Sequence, residues 1–222
     1  MTSRTVPRIQ ENSSVLLNYV GVLGSIALIW LAACVSPGPD FLLTTRIAAT
    51  QTRAVASRAA LGIALGCGLW GLAGFFGIHA LFLASPWLYL ALKIGGGAYL
   101  AYLGARLLRQ CCRPAVASAE AGPAMSSPSA FRVGLLTNLA NPKAPLFTSS
   151  LFAAVLPQHP PAMLGVAAAG VMLAVAAGWF LLVVHLLTTR RAAAAFASVR
   201  RWVDGAAGVA FLGFGARLAL ER

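Results

Sequence analysis

The 222-residue sequence predicts an all-α membrane protein of about six transmembrane helices. They form two inverted three-helix repeats, and the first helix of each repeat is broken. Three observations carry that expectation. The chain is 59% hydrophobic and only 10% charged, where soluble domains carry roughly 25% charged residues, and its mean hydropathy is +0.80. Long apolar runs alternate with short basic or proline-containing connections. Two proline-rich interruptions, Ser36-Pro37-Gly38-Pro39-Asp40 and Asn141-Pro142-Lys143-Ala144-Pro145, fall in matching places in the two halves.

Residues 1–14 are polar, contain Pro7, and read as a loose tail. The first repeat covers 15–113. Its first helix starts near Val15, breaks at Ser36–Pro39 and resumes through Phe41-Leu42-Leu43, with Arg46, Arg53 and Arg58 in a polar loop behind it. The second span, about Ala59 to Ala84, carries Gly62, Gly66, Gly68, Gly71, Gly74 and Gly77. Such small residues let helix backbones approach closely in a bilayer, and they offer a face for a homo-oligomeric partner. After the uncharged turn Ser85-Pro86, a third span runs from Trp87 to Leu108 and is closed by Arg106, Arg109 and Arg113.

Residues 114–130, rich in Ala, Ser and Pro, read as a cytoplasmic linker. The second repeat, 131–222, repeats the plan. Its first helix, Phe131 to Leu156, breaks at Asn141–Pro145; the next covers Ala162 to Leu187; a shorter last span covers Trp202 to Leu220.

The formal charge of +12 arises from 17 Lys and Arg against 5 Asp and Glu. These cations cluster between apolar runs, where they orient helices and meet the lipid bilayer, so they do not indicate nucleic acid. Basic residues follow the odd spans and are missing after the second and fourth. The odd loops are therefore expected in the cytoplasm and both termini outside. Three spans per half insert the halves with opposite topology, a pattern that signals a secondary transporter with its site between the repeats.

The breaks carry the chemistry. Prolines on either side of Gly38 remove amide donors and cannot sit within a regular helix. Free backbone at membrane depth survives only where it is buried in protein or lines a cavity. Asp40 at the first break is an ammonium partner or proton carrier, or else a cap for the resumed helix. Lys143 at the second attracts a carboxylate, pairs with Asp40, or snorkels to the interface. Asn138 and Asn141 satisfy freed backbone or touch substrate. Lys93 reads as an interface residue, while His79 and His185 read as packing residues before proton relays.

Cys34, Cys67, Cys111 and Cys112 have neither metal-ligand nor disulfide spacing. Leu31-Ala32-Ala33-Cys34 has the look of a lipoprotein cleavage box, but cleavage would discard the first helix. No phosphate loop, metal cluster or nucleophile–base spacing stands out, so neither cofactor nor enzyme activity is expected.

Further motifs fall in order along most of the chain: Gly62-Ile63-Ala64-Leu65-Gly66, then Leu92-Lys93-Ile94-Gly95-Gly96-Gly97-Ala98-Tyr99-Leu100 leading to Leu103-Gly104, then Phe131, Gly134 and Asn141-Pro142-Lys143. With Ser36–Asp40, they make the chain resemble the lysine exporter (LysE/RhtB) family of bacterial amino-acid exporters, of the threonine and homoserine efflux type. The resemblance implies export of amino acids or related amines across the bacterial cytoplasmic (inner) membrane, driven by the proton-motive force. The two breaks, with Asn138 beside the second, mark Ser36, Pro37, Gly38, Pro39, Asp40, Asn138, Asn141, Pro142 and Lys143 as the expected substrate and proton site. One departure is Pro145 so close behind Pro142, which is expected to lengthen the second break. Two other readings are a thiol–disulfide carrier using Cys34, which lacks a partner cysteine in the second break, and a metal-cation exporter, for which ligands beside the breaks are scarce.

Overall fold

The structure, a computed structural model, describes residues 6–84, 86–111, 125–141, 143–157 and 160–187, together with positions 202, 205, 206, 208, 209, 211–213 and 216. Among the described residues the regular elements are helices: α1 (Val6–Val35), α2 (Pro39–Thr50), α3 (Arg53–Ala84), α4 (Pro86–Cys111), α5 (Ser127–Leu139), α6 (Lys143–Val155) and α7 (Ala162–Leu187). Among the described residues, three stretches are long and apolar enough to cross a membrane: Leu17–Val35, Arg53–Gly77 and Ala162–Leu187. The last expected span lies largely outside the described residues.

Several boundaries differ from the sequence expectation for physical reasons. Helix α1 begins at Val6, inside the segment expected to be a loose tail. Pro7 falls in the first turn, where its missing amide proton costs nothing. The loop after α2 is only Gln51 and Thr52, so Arg53 and Arg58 ride on α3 rather than in a loop. Thr52 starts that helix, accepting Ala56 N–H at its carbonyl at 3.0 Å and Val55 N–H at Oγ1 at 3.5 Å. Pro86 opens α4, a position that suits a residue with no amide donor. Ser126 caps α5, accepting Ser129 N–H at 3.4 Å, so α5 takes the last residues of the expected linker.

Pro145 does not lengthen the second break. It is the third residue of α6, within the turn whose amides have no helical acceptor in any case. The interruption lies between Leu139, the last residue of α5, and Lys143, the first of α6. The pieces on either side, 13 residues each, are about 20 Å long at 1.5 Å per residue. Neither alone crosses a hydrocarbon core of about 30 Å.

Helix α3 is the centre of the bundle and lies along both α5 and α7. Its glycines make this possible. A Cβ on Gly62 would collide with the Phe131 carbonyl oxygen of α5, and one on Gly134 with the Ala59 oxygen of α3. On the opposite side of α3, a Cβ on Gly71 would stand 2.9 Å from the Ala169 Cα of α7. Gly66, Gly68 and Gly74 likewise meet Asn138, Leu173 and Thr148 of neighbouring helices, while Gly77 faces open space. Helix α1 packs on α7, α4 on α6, and α2 on α3, α5 and α7. Phe147 is buried between Trp30 of α1, at 5.8 Å between centroids, and Phe211 of the last segment, at 5.1 Å.

Candidate functional site at the two helix breaks

The chain breaks between α1 and α2 because Pro37 and Pro39 lack amide protons. Ser36 N–H still reaches the Ala32 carbonyl at 3.1 Å, and the next helical bond runs from Leu42 N–H to Gly38 at 2.9 Å. Gly38 is the N-cap of α2, in extended conformation and without a side-chain cap. Asp40 sits in the first turn of α2, where the helix dipole favours an anion. It is therefore not the capping residue. Its carboxylate serves the other break.

Asp40 Oδ2 accepts from Asn138 Nδ2 at 2.9 Å and from Asn141 Nδ2 at 3.0 Å. The orientation of Asn141 is fixed by its second bond. Its Oδ1 accepts Lys143 N–H at 3.0 Å at the start of α6, which only an oxygen can do. One side chain thus caps α6 and grips Asp40. Asn138, 1% exposed, also donates to Cys67 Sγ at 3.4 Å. Its Oδ1 lies over Gly66, where a Cβ would overlap it. Trp70 Nε1–H donates to the Asn138 carbonyl at 3.4 Å.

Lys143 reaches the other way. Its Nζ donates to Ser36 Oγ at 2.7 Å, to the Ala33 carbonyl at 3.0 Å and to the Ser36 carbonyl at 3.4 Å. These oxygens end α1, where the dipole favours a cation. An ammonium has three protons, so its demand is met. Lys143 neither snorkels outward nor bonds to Asp40. Each charge is held by dipoles from the opposite break.

Both breaks open onto one cavity of about 30 Å³. Sites that hold small molecules run to about 300–1,000 Å³, so admitting an organic substrate requires the lining helices to part. Of the residues expected at the site, Ser36, Gly38, Asp40, Asn138, Asn141 and Lys143 line this cavity. Pro37 and Pro39 shape the break without lining it, and residue 142 lies outside the described residues. Sequence reasoning missed Trp30, Cys67, Phe147 and Phe180, which also line it. The spacing held one clue. Gly62 and Gly66 on α3 are four residues apart, as are Gly134 and Asn138 on α5, so each pair shares a helix face.

Cys34 and Cys67 are both buried free thiols at this cavity. His185 is exposed near the end of α7. The side chains of His79 and Lys93 lie outside the described residues. No group of three or more His, Cys, Asp and Glu able to hold a metal ion occurs among the described residues.

Residues 31–222 match the profile of the family described as LysE type translocator. The threonine efflux protein of Escherichia coli strain K12 is 30% identical over 200 residues, covering 89% of this chain and 97% of that protein. The threonine efflux protein of Salmonella typhi is 30% identical over 204 residues, covering the same shares, 89% and 97%. An uncharacterized membrane protein of Haemophilus influenzae is 29% identical over 194 residues, covering 86% and 92%. No solved structure matches.

Proposed function

Because the chain belongs to the LysE type translocator family, we propose that it is a secondary transporter exporting amino acids from the cytoplasm, with its site between the two broken helices. The observation that carries this reading is the carboxylate of Asp40, held by two amides from the opposite break beside a cavity. An acidic group at such a place is suited to an amino-acid ammonium and to a coupling proton. Protons driven by the membrane potential and pH gradient are the coupling ion in this reading. Asp40 takes a proton from outside, then exchanges it for substrate on the cytoplasmic side.

The reading includes two inverted repeats, 15–113 and 131–222, inserted in a bacterial inner membrane with both termini outside. Reciprocal packing supports it: α1 meets α7 as α5 meets α3, and α2 meets α7 as α6 meets α3. Secondary transporters built this way bind substrate at the repeat interface.

Efflux of a labelled amino-acid panel, threonine first, from loaded proteoliposomes tests the proposal. Release that accelerates when the gradient is imposed supports it. Release no faster than from protein-free vesicles for every amino acid would end it. One observation favours a second reading, a thiol–disulfide carrier: Cys67 joins Cys34 at the cavity although neither break supplies a partner cysteine. Full efflux by a Cys34→Ser, Cys67→Ser protein removes that reading.

A further inference from the structure

The cavity between the breaks contains a buried hydrogen-bond donor that no group among the described residues uses. Trp30, on α1, is 3% exposed and lines the cavity, and its Nε1–H has no partner. Its ring is held against Phe147, with planes tilted by 58°. A buried indole N–H usually finds a partner, and leaving a buried donor unsatisfied costs its full desolvation penalty. The same cavity has an acceptor in the same condition, Asp40 Oδ1, which is buried and unpartnered while Oδ2 holds two amides. Lys143, the cation that the sequence offers to a carboxylate, is already committed to Ser36 and Ala33.

We infer that Trp30 is a specificity-determining residue. Its Nε1–H takes the carboxylate of an α-amino acid whose ammonium is held at Asp40 Oδ1, and Lys143 ties the two breaks together without touching substrate. The open donor on Trp30 and the open acceptor on Asp40 together match a zwitterion, while Asn138 Oδ1, a second acceptor without a partner, lies over Gly66. A simple amine uses only the acceptor. This inference rests on the cavity being the transport site.

Matched probes separate the two ideas. Affinities for L-threonine and 1-amino-2-propanol, and for L-lysine and cadaverine, are measured by ligand-induced thermal stabilisation of the purified full-length protein. Each amine lacks only the carboxylate of its partner. Trp30→Phe removes the donor and keeps a ring. A hydrogen bond to a charged group is worth about 1.5–3 kcal/mol, so amino-acid affinity should fall roughly 10- to 100-fold. Amine affinity should stay within about twofold, and the acid-to-amine ratio should collapse. A loss shared equally by acid and amine, or an unchanged amino-acid affinity, overturns the assignment while leaving the transport site intact. Binding of neither amino acid by the wild-type protein overturns the site reading and this inference with it. Should Trp30→Phe fail to fold, benzothienylalanine incorporated at position 30 keeps the two-ring shape without the N–H. The same ratio then decides the question.

Discussion

At the first break, α1 stops because two prolines within three residues withdraw their amides, and the helix resumes with a carboxylate in its first turn. At the second, α5 ends at Leu139 and α6 resumes with an ammonium in its first turn. The carboxylate suits its helix terminus and the ammonium does not. Lys143 accordingly sends its charge to the carbonyl end of α1. The second break repays the first with two amides on Asp40. The exchange leaves the breaks unequal. Lys143 is saturated, whereas Asp40 retains a free oxygen. In the proposed reading the acidic break takes the ligand and the basic break holds the halves together.

The largest effect should come from pulling the breaks apart. Gly134→Leu places a side chain against the Ala59 carbonyl, at a crossing with no room for a Cβ. Overpacking of this kind, with backbone as the obstacle, should cost more than about 4 kcal/mol. The expected result is loss of monodisperse protein on size-exclusion chromatography in detergent. Normal yield would show that α3 and α5 do not need this contact.

Next in size is Asp40→Asn, which removes the charge from the open break but keeps the side chain's shape. Gradient-driven efflux should fall at least tenfold, a barrier change of about 1.4 kcal/mol, or lose its dependence on the gradient, at near-normal expression. Wild-type gradient dependence would remove the coupling role proposed for Asp40. Lys143→Met should do less to transport, because the ammonium is a tie. Its loss leaves Ser36 Oγ and two carbonyls without their donor, which should cost about 1–3 kcal/mol. The melting temperature should drop by several degrees, at about 2–4 °C per kcal/mol for a chain of this size. A transport defect larger than that of Asp40→Asn would reverse the assignment of the two breaks. Smallest is Pro145→Ala, expected within about 0.5 kcal/mol of wild type, since no helical bond depends on that position. A collapse in stability would place Pro145 in the break after all.

How much of this was legible follows from what each signal encodes. Ser36–Asp40 and Asn141–Lys143 announced themselves because proline and glycine act on their own backbone. The start of α1 at Val6 and the length of α3 were less legible, since proline or arginine near a helix end reads equally well as loop. That Asp40 answers to Asn138 and Asn141 depends on how α3 lets α5 approach, through Gly62, Gly66 and Gly134, which no local pattern specifies. Cys67 reaches the cavity through the same packing and Trp30 through that of α1 on α7 and α6, and apolar runs gave them no mark of their own.

The exchange across the breaks is tested most directly by a double-mutant cycle on Asp40 and Asn138, read as unfolding free energy in one detergent. Asp40→Leu alone strands the Asn138 amide, and Asn138→Leu alone takes one of two donors from a buried carboxylate. Each should cost about 1–3 kcal/mol. The double variant removes both partners, and its cost should fall short of the summed singles by about 1 kcal/mol or more, as for residues in contact. Additivity within about 0.5 kcal/mol would mean that Asp40 and Asn138 do not hold each other, contradicting the account of the two breaks as one site.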